Sequence, residues 1–180
     1  MKVYHVVSDR PLAVGQQIRF DENNRSGVYQ RVMALADTAD DVLVHPEKYP
    51  LPLEHHLDIA IRELAMEQVR REKYPEYPSR MACLYVSREA GPAKQWAEYF
   101  ARLGRPTYAV VELEVEGRCF VGDALNCFDG TPDQADNLAR AERYWSNAPN
   151  GEGEPIWEML VDGDIRVIRI VEEINANIPE

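Results

Sequence analysis

Four side chains have types and positions that could do chemistry: His5, Tyr85, Asp123 and Glu158. His5 sits in the opening run "KVYHVV", where alternation puts Val3, His5 and Val7 on one strand face and Tyr4 and Val6 on the other. An imidazole there is either a core group bonded to backbone or a hydrogen-bonding member of a site. In "LYVSRE", Tyr85 and Ser87 share a strand face with a helix directly after, which puts both at a rim. The plainer reading of Tyr85 is a good strand former with its hydroxyl in water. In "IWEMLV" every residue is apolar except Glu158. A carboxylate in such a run either faces solvent at an edge or is held by a partner, because burying it alone is costly. Held carboxylates concentrate at active sites, although structural ion pairs also hold them. Asp123, in "VGDALN", is a second carboxylate, and with Glu158 it would make a two-carboxylate hydrolase.

The elements that must position these groups follow from the apolar spacing. The pattern predicts a strand over 2–7, a loop through "SDRPLAVGQQI", and one helix over "NNRSGVYQRVMALAD" capped by Ser26, with Tyr29, Val32, Met33 and Ala36 inward. After the prolines of "HPEKYPLP" a second helix carries Leu53, Leu57, Ala60, Ile61, Leu64 and Val69 inward, with Glu63, Glu67, Arg70 and Arg71 on the wet side. "RMACLYVSRE" reads as a strand. "GPAKQWAEYFARLG" reads as a helix with Ala93, Trp96, Ala97 and Phe100 inward, stopped at Gly104. "TYAVVELEVEGRCFVGD" is a strand bent or paired at Glu116-Gly117, with Ala109, Val111, Leu113 and Val115 facing in. "GTPDQADNLARAERYWSN" predicts a helix with Thr131 as cap, Pro132 first and Gln134 closing a capping box; its Tyr144-Trp145 either covers a cleft or packs in the core. Two last strands, "IWEMLV" and "IRVIRIV", are joined by Asp162-Gly163-Asp164, a hairpin signal. The order is mixed rather than alternating, so the expected class is α+β, in one domain over 1–180.

Composition narrows the function classes. The net charge of −11 argues against broad binding to nucleic acid or to an anionic membrane. No apolar stretch approaches the roughly 20 residues that span a bilayer, and the start "MKVYHVVSDR" does not read as a secretory leader, which makes the cytoplasm the expected location. The 3 cysteines form no CxxC pair, and His55 and His56 are adjacent, so they point to different helix faces; no metal site is expected. No GxGxxG follows a strand, so a Rossmann mode of NAD binding is not supported.

The order of these residues carries a resemblance. "YHVVSDRPLAVGQQI", "LYVSREAGPAKQWAEYF", "TYAVVELEV" and "EMLVDGDIRVIRIVEEI" together resemble the ADP-ribosyltransferase superfamily, specifically its His-Tyr-Glu pattern in the small rifamycin-modifying enzymes. The whole chain, including "YPSRMACLY" and "GRCFVGDALNCFDGT", also resembles an uncharacterised bacterial family, domain of unknown function 2441. The superfamily resemblance implies a split β-sheet with flanking helices and cleavage of the nicotinamide–ribose bond of NAD, with transfer of ADP-ribose to an acceptor or to water.

By that resemblance Glu158 is the carboxylate that faces the oxocarbenium-like sugar, Tyr85 stacks on nicotinamide, His5 bonds the adenosine-side ribose, and Ser87 braces the glutamate or ribose. Asp123 shares or replaces the role of Glu158. Arg10, Arg80 and Arg88 flank the matched motifs and are the candidates to meet the two phosphates, the alternative for each being a solvated surface arginine. Ile156 stands where arginine-modifying members carry Glu or Gln, which argues against arginine as acceptor, and the stretch "DGTPDQADNLARAERYWSN" has no counterpart in the pattern. The implied partners are NAD and a protein or small-molecule acceptor, with nucleic acid disfavoured by charge. A catalytically inert interaction module of the same fold, for example a homodimer, is the competing expectation.

Overall fold

In the computed structural model, which describes residues 1–8, 10–21 and 24–179, the chain divides into two compact units. The first comprises Met1–Phe20, Leu84–Phe120 and Met159–Glu180; the second comprises Asp21–Cys83 and Val121–Glu158. The α+β class holds: among the described residues seven strands form antiparallel sheets, and five α-helices accompany them.

The first unit is built on β1 (Lys2–Val7), β2 (Gln17–Ile18), β4 (Thr107–Glu116) and β7 (Asp164–Ala176), a four-stranded sheet in the order β1-β4-β7-β2. β4 is buried on both faces. Val110 packs with Val6 under Ala93 and Ala97 of α4 (Ala90–Arg102), while Val111, Leu113 and Val115 are buried on the alternate positions. Glu112, also buried, is held by Arg169 across the ladder at 2.6 Å and by Lys2 at 3.3 Å. A short β2 replaces part of the expected loop. On α4 the expected inner stripe holds at Ala93 and Ala97, which are buried, and at Phe100, which packs against them, but Trp96 is 40% exposed. The two alanines let the helix approach the sheet closely, so the larger ring at 96 is carried to the flank, edge-on to Tyr99.

The three-stranded sheet has the order β3-β6-β5, with β3 (Leu84–Val86), β5 (Cys119–Asp123) and β6 (Trp157–Val161). The expected hairpin of β6 with β7 is therefore not formed, because the two strands belong to different sheets. The reason lies at two glycine corners. β4 leaves the first sheet and enters β5 at Gly117, while β6 passes into β7 at Gly163, and the two corners touch. A Cβ on Gly117 would lie 2.0 Å from the Asp162 carbonyl oxygen, and Gly163, with φ +96°, would place one 2.5 Å from that of Glu116. Arg118 pins the crossing through its bonds to the Asp162 carboxylate.

In the second unit α3 (His55–Lys73) is the central element. α1 (Gly27–Met33) and α2 (Ala36–Val44) are separate helices rather than one, broken at Ala34-Leu35. Ser26 caps α1 as expected, accepting from Tyr29 N at 3.1 Å while donating to the Met81 carbonyl. Val32, Ala60 and Met81 form one cluster, and Ala39, Val42, Leu53, Leu57 and Ile61 another. α5 (Gln134–Trp145) packs on α3, with Tyr144 and Trp145 fully buried and the Trp145 indole donating to the Met66 carbonyl at 2.8 Å. Its cap is Asp133, not Thr131. Thr131 is held instead by the buried Asn137, which accepts from its N–H at 2.9 Å and donates to its carbonyl at 2.7 Å. Because α3 is covered by α1 and α2 as well as by α5, its buried face is wider than one stripe. Glu63 and Arg70, expected on the wet side, are buried, whereas Met33, expected inward, is 44% exposed.

Candidate functional site

The first unit brings three of the expected residues together. β1 and β3 meet at a two-bond bridge between Tyr4 and Ser87, both N···O distances being 2.8 Å. One residue on from Tyr4, His5 Nδ1 donates to the Tyr85 carbonyl at 2.8 Å. That bond fixes the proton on Nδ1 and leaves Nε2 of the neutral ring as an acceptor. Burial lowers the His5 pKa below its ordinary value, against the carbonyl bond that raises it, so the neutral form prevails at pH 7. The Tyr85 side chain stands at the surface of its strand, 36% exposed, and Ser87 is half-buried. Arg10 and Arg88 are exposed cations, Arg88 acting on the Cys119 thiol.

The second unit holds Glu158 in a charged cluster. Its Oε1 accepts from Arg80 Nη1 at 2.5 Å and from the Tyr144 hydroxyl at 2.5 Å. Arg80 Nη1 also donates to the Tyr144 oxygen at 2.6 Å, Nε donates to Glu63 Oε2 at 3.0 Å, and the guanidinium lies 4.9 Å from the Tyr144 ring centroid. Glu63 accepts in turn from Arg62 at 3.1 Å. Burial alone would raise the Glu63 pKa, but Arg80 and Arg62 outweigh it and hold the carboxyl below its usual range. Tyr144 is pushed well above its ordinary value by burial, so it remains a phenol that donates to Glu158. Cys127 Sγ lies 4.0 Å from Glu158 Oε1, and burial pushes that thiol up to about 11, which keeps it protonated and unreactive.

Two assignments change. Arg80 was expected to meet a phosphate; it is buried, and its donors are engaged by Glu63, Tyr144 and Glu158. Asp123 is buried too. Its oxygens accept from Leu125 N and Ile156 N, each at 3.0 Å, and from the Asn150 amide, so it ties the 150–156 loop to the end of β5. Burial alone would raise its pKa, but these bonds hold it below the ordinary value. No sequence pattern marks Glu63 as a partner of Arg80. Tyr144 was readable as core, but not as the phenol that grips Glu158.

What remains open on Glu158 is its second oxygen. The side chain is 17% exposed, and Oε2 takes no hydrogen bond among the described residues. A carboxylate clamped through one oxygen alone can act as a fixed anion or as an acceptor for a sugar hydroxyl. Among the described residues, no group of three or more His, Cys, Asp or Glu could hold a metal ion, and no helix is long and apolar enough to cross a membrane.

A family model for a protein of unknown function (DUF2441) matches residues 3–173. The chain belongs to the DUF2441 family. No curated protein matches the chain significantly.

Proposed function

We propose that this DUF2441 protein is an NAD-dependent mono-ADP-ribosyltransferase or NAD glycohydrolase in which Glu158 is the key carboxylate. The observation that carries the reading is the state of that side chain, held through Oε1 by Arg80 and Tyr144, with no hydrogen bond on Oε2 among the described residues and 17% of the side chain exposed. A transition state with positive charge developing on a ribose is favoured by an anion already fixed in place, which needs no reorganisation as the charge appears. The C1′–N bond of NAD breaks with its electron pair passing to the nicotinamide nitrogen, which loses its positive charge. The acceptor or water then bonds to C1′ and gives up a proton.

In this scheme Glu158 Oε2 hydrogen-bonds the nicotinamide ribose, and the Tyr85 ring supplies a flat face for nicotinamide. His5 Nε2 accepts from the adenosine ribose, with Ser87 beside it. Arg10 and Arg88 remain the candidates for the phosphates. Arg80 becomes a positioning residue for Glu158, and Asp123 leaves the catalytic set. The separate antiparallel sheets of four and three strands support the finer fold reading, since a split sheet is what the resemblance implied.

The second reading, an inert interaction module of the same fold, is favoured by a different feature. Trp96 and Tyr99 on α4 and Leu103 at its C-cap are 40%, 45% and 60% exposed at helical spacing, an apolar stripe that a partner or second copy would cover. Calorimetric titration with NAD separates the readings from the alternatives. Binding with nicotinamide release supports the transferase, binding without turnover supports the module, and no heat at millimolar NAD overturns the transferase.

A further inference from the structure

The second unit has a cavity of about 780 Å³ between α1, α3 and the 79–82 segment, and it shares no lining residue with the Glu158 cluster. Its apolar wall includes Tyr29, Met33, Leu64 and Met81. Met33 is the exposed methionine of α1, an apolar side chain that the helix leaves open to the cavity.

The charge at the rim says what would complement that wall. Arg70 is closed off by the Glu67 carboxylate, at 2.9 Å to each oxygen, and by the Tyr77 carbonyl at 3.0 Å. Arg25 and Arg71 differ: neither guanidinium makes a hydrogen bond or ion pair among the described residues, and that of Arg25 lies over the Tyr29 ring, 4.7 Å from its centroid. With Arg70 and Glu67 cancelling, two guanidiniums face only Glu72 among the lining charges. The rim is thus locally positive in a chain whose net charge is −11. Guanidinium donors beside an apolar wall fit a molecule with an anionic head and an apolar body, and the volume falls in the range of small-molecule sites.

We propose that this cavity binds a small amphiphilic anion, its apolar body against Tyr29, Met33, Leu64 and Met81 and its carboxylate or phosphate met by Arg25 and Arg71. The proposal does not rest on NAD chemistry. The probe is 1-anilinonaphthalene-8-sulfonate, titrated by fluorescence into the full chain, with neutral N-phenyl-1-naphthylamine as its uncharged counterpart. One saturable site is expected. Arg25→Gln combined with Arg71→Gln should weaken the anionic dye about tenfold or more, roughly one well-made charge-assisted contact, and leave the neutral dye unchanged. Both arginines are exposed, so the variant should keep the wild-type melting temperature. Met33→Asp should weaken both dyes. Displacement by decanoate or by phenyl phosphate supports the site and tells a carboxylate ligand from a phosphate one. Absence of saturable binding, equal affinity in the double arginine variant, or displacement by neither competitor overturns the proposal. Because no arm involves Glu158, its failure leaves the transferase reading untouched, and the reverse also holds.

Discussion

Replacing Arg80 by methionine removes the charge at the centre of the Glu158 cluster while keeping much of its length. The Arg80 side chain is 7% exposed and bonds Glu63, Tyr144 and Glu158 at 3.0, 2.6 and 2.5 Å. Breaking a buried ion pair by removing one partner costs about 3–5 kcal/mol, chiefly because the other charge stays buried. Two features lower the figure: Glu63, only 2% exposed, keeps Arg62 at 3.1 Å, and Glu158, 17% exposed, has access to water. The expected loss is therefore near the lower end, about 3 kcal/mol, or roughly 6–12 °C in melting temperature for a chain of this length. Urea and thermal denaturation followed by circular dichroism measure it. Adding Glu63→Gln to Arg80→Met should recover part of the loss, giving a coupling of at least about 1 kcal/mol in the double-mutant cycle. A loss below about 1 kcal/mol for Arg80→Met, with additive single effects, would refute the view that these charges hold one another.

Glu63 also predicts an acid limb. Its folded pKa lies below the ordinary 4.5, so the stability it contributes is present above about pH 4.5 and is lost as pH falls through the folded value. Stability curves of Glu63→Gln should be flatter than wild type below that pH; parallel curves would count against the pairing. Gly117→Ala should prevent folding or cost well over about 2 kcal/mol, because the new Cβ meets backbone 2.0 Å away at the crossing of the two corners; a near-native urea midpoint would show that the corners part easily. Asp123→Ala should speed hydrogen exchange at the Leu125 and Ile156 amides while sparing any NAD turnover. Loss of turnover with unchanged exchange would return Asp123 to the catalytic set.

Local patterns read well from the sequence. The first strand, the Ser26 cap, the long α3 and the α+β class all rest on short-range spacing and chemistry. Features set by distant partners did not. Asp162-Gly163-Asp164 has hairpin residues, yet Gly163 serves a passage between sheets because Gly117 crosses it, a contact some 46 residues away in sequence (163 − 117 = 46). Glu63 reads as solvated on α3 because its counter-charge Arg80 lies 17 residues on. The run Leu64-Ala65-Met66 was the available hint that the helix is buried on more than one side, since Ala65 and Met66 are both fully covered. Of the candidate residues, Tyr85 and Ser87 read from the sequence as sharing a strand face; that His5 Nδ1 bonds the Tyr85 carbonyl and that Tyr4 bridges to Ser87 comes from the pairing of β1 with β3. The run around Glu158 reads as one whose carboxylate faces solvent or is held by a partner, but the partner is not legible, since Arg80 reads as a phosphate ligand or a surface cation and Tyr144 as a cleft cover or a core residue.

The most direct test of the central claim is nicotinamide release from NAD, followed by chromatography, for wild type and Glu158→Gln. The glutamine oxygen can still accept from Arg80 and Tyr144, so the variant should keep its fold and isolate the loss of the anion. The account predicts release by the wild-type protein and its loss, by about a hundredfold or more, in a variant that melts close to wild type. Equal release by both proteins would contradict it.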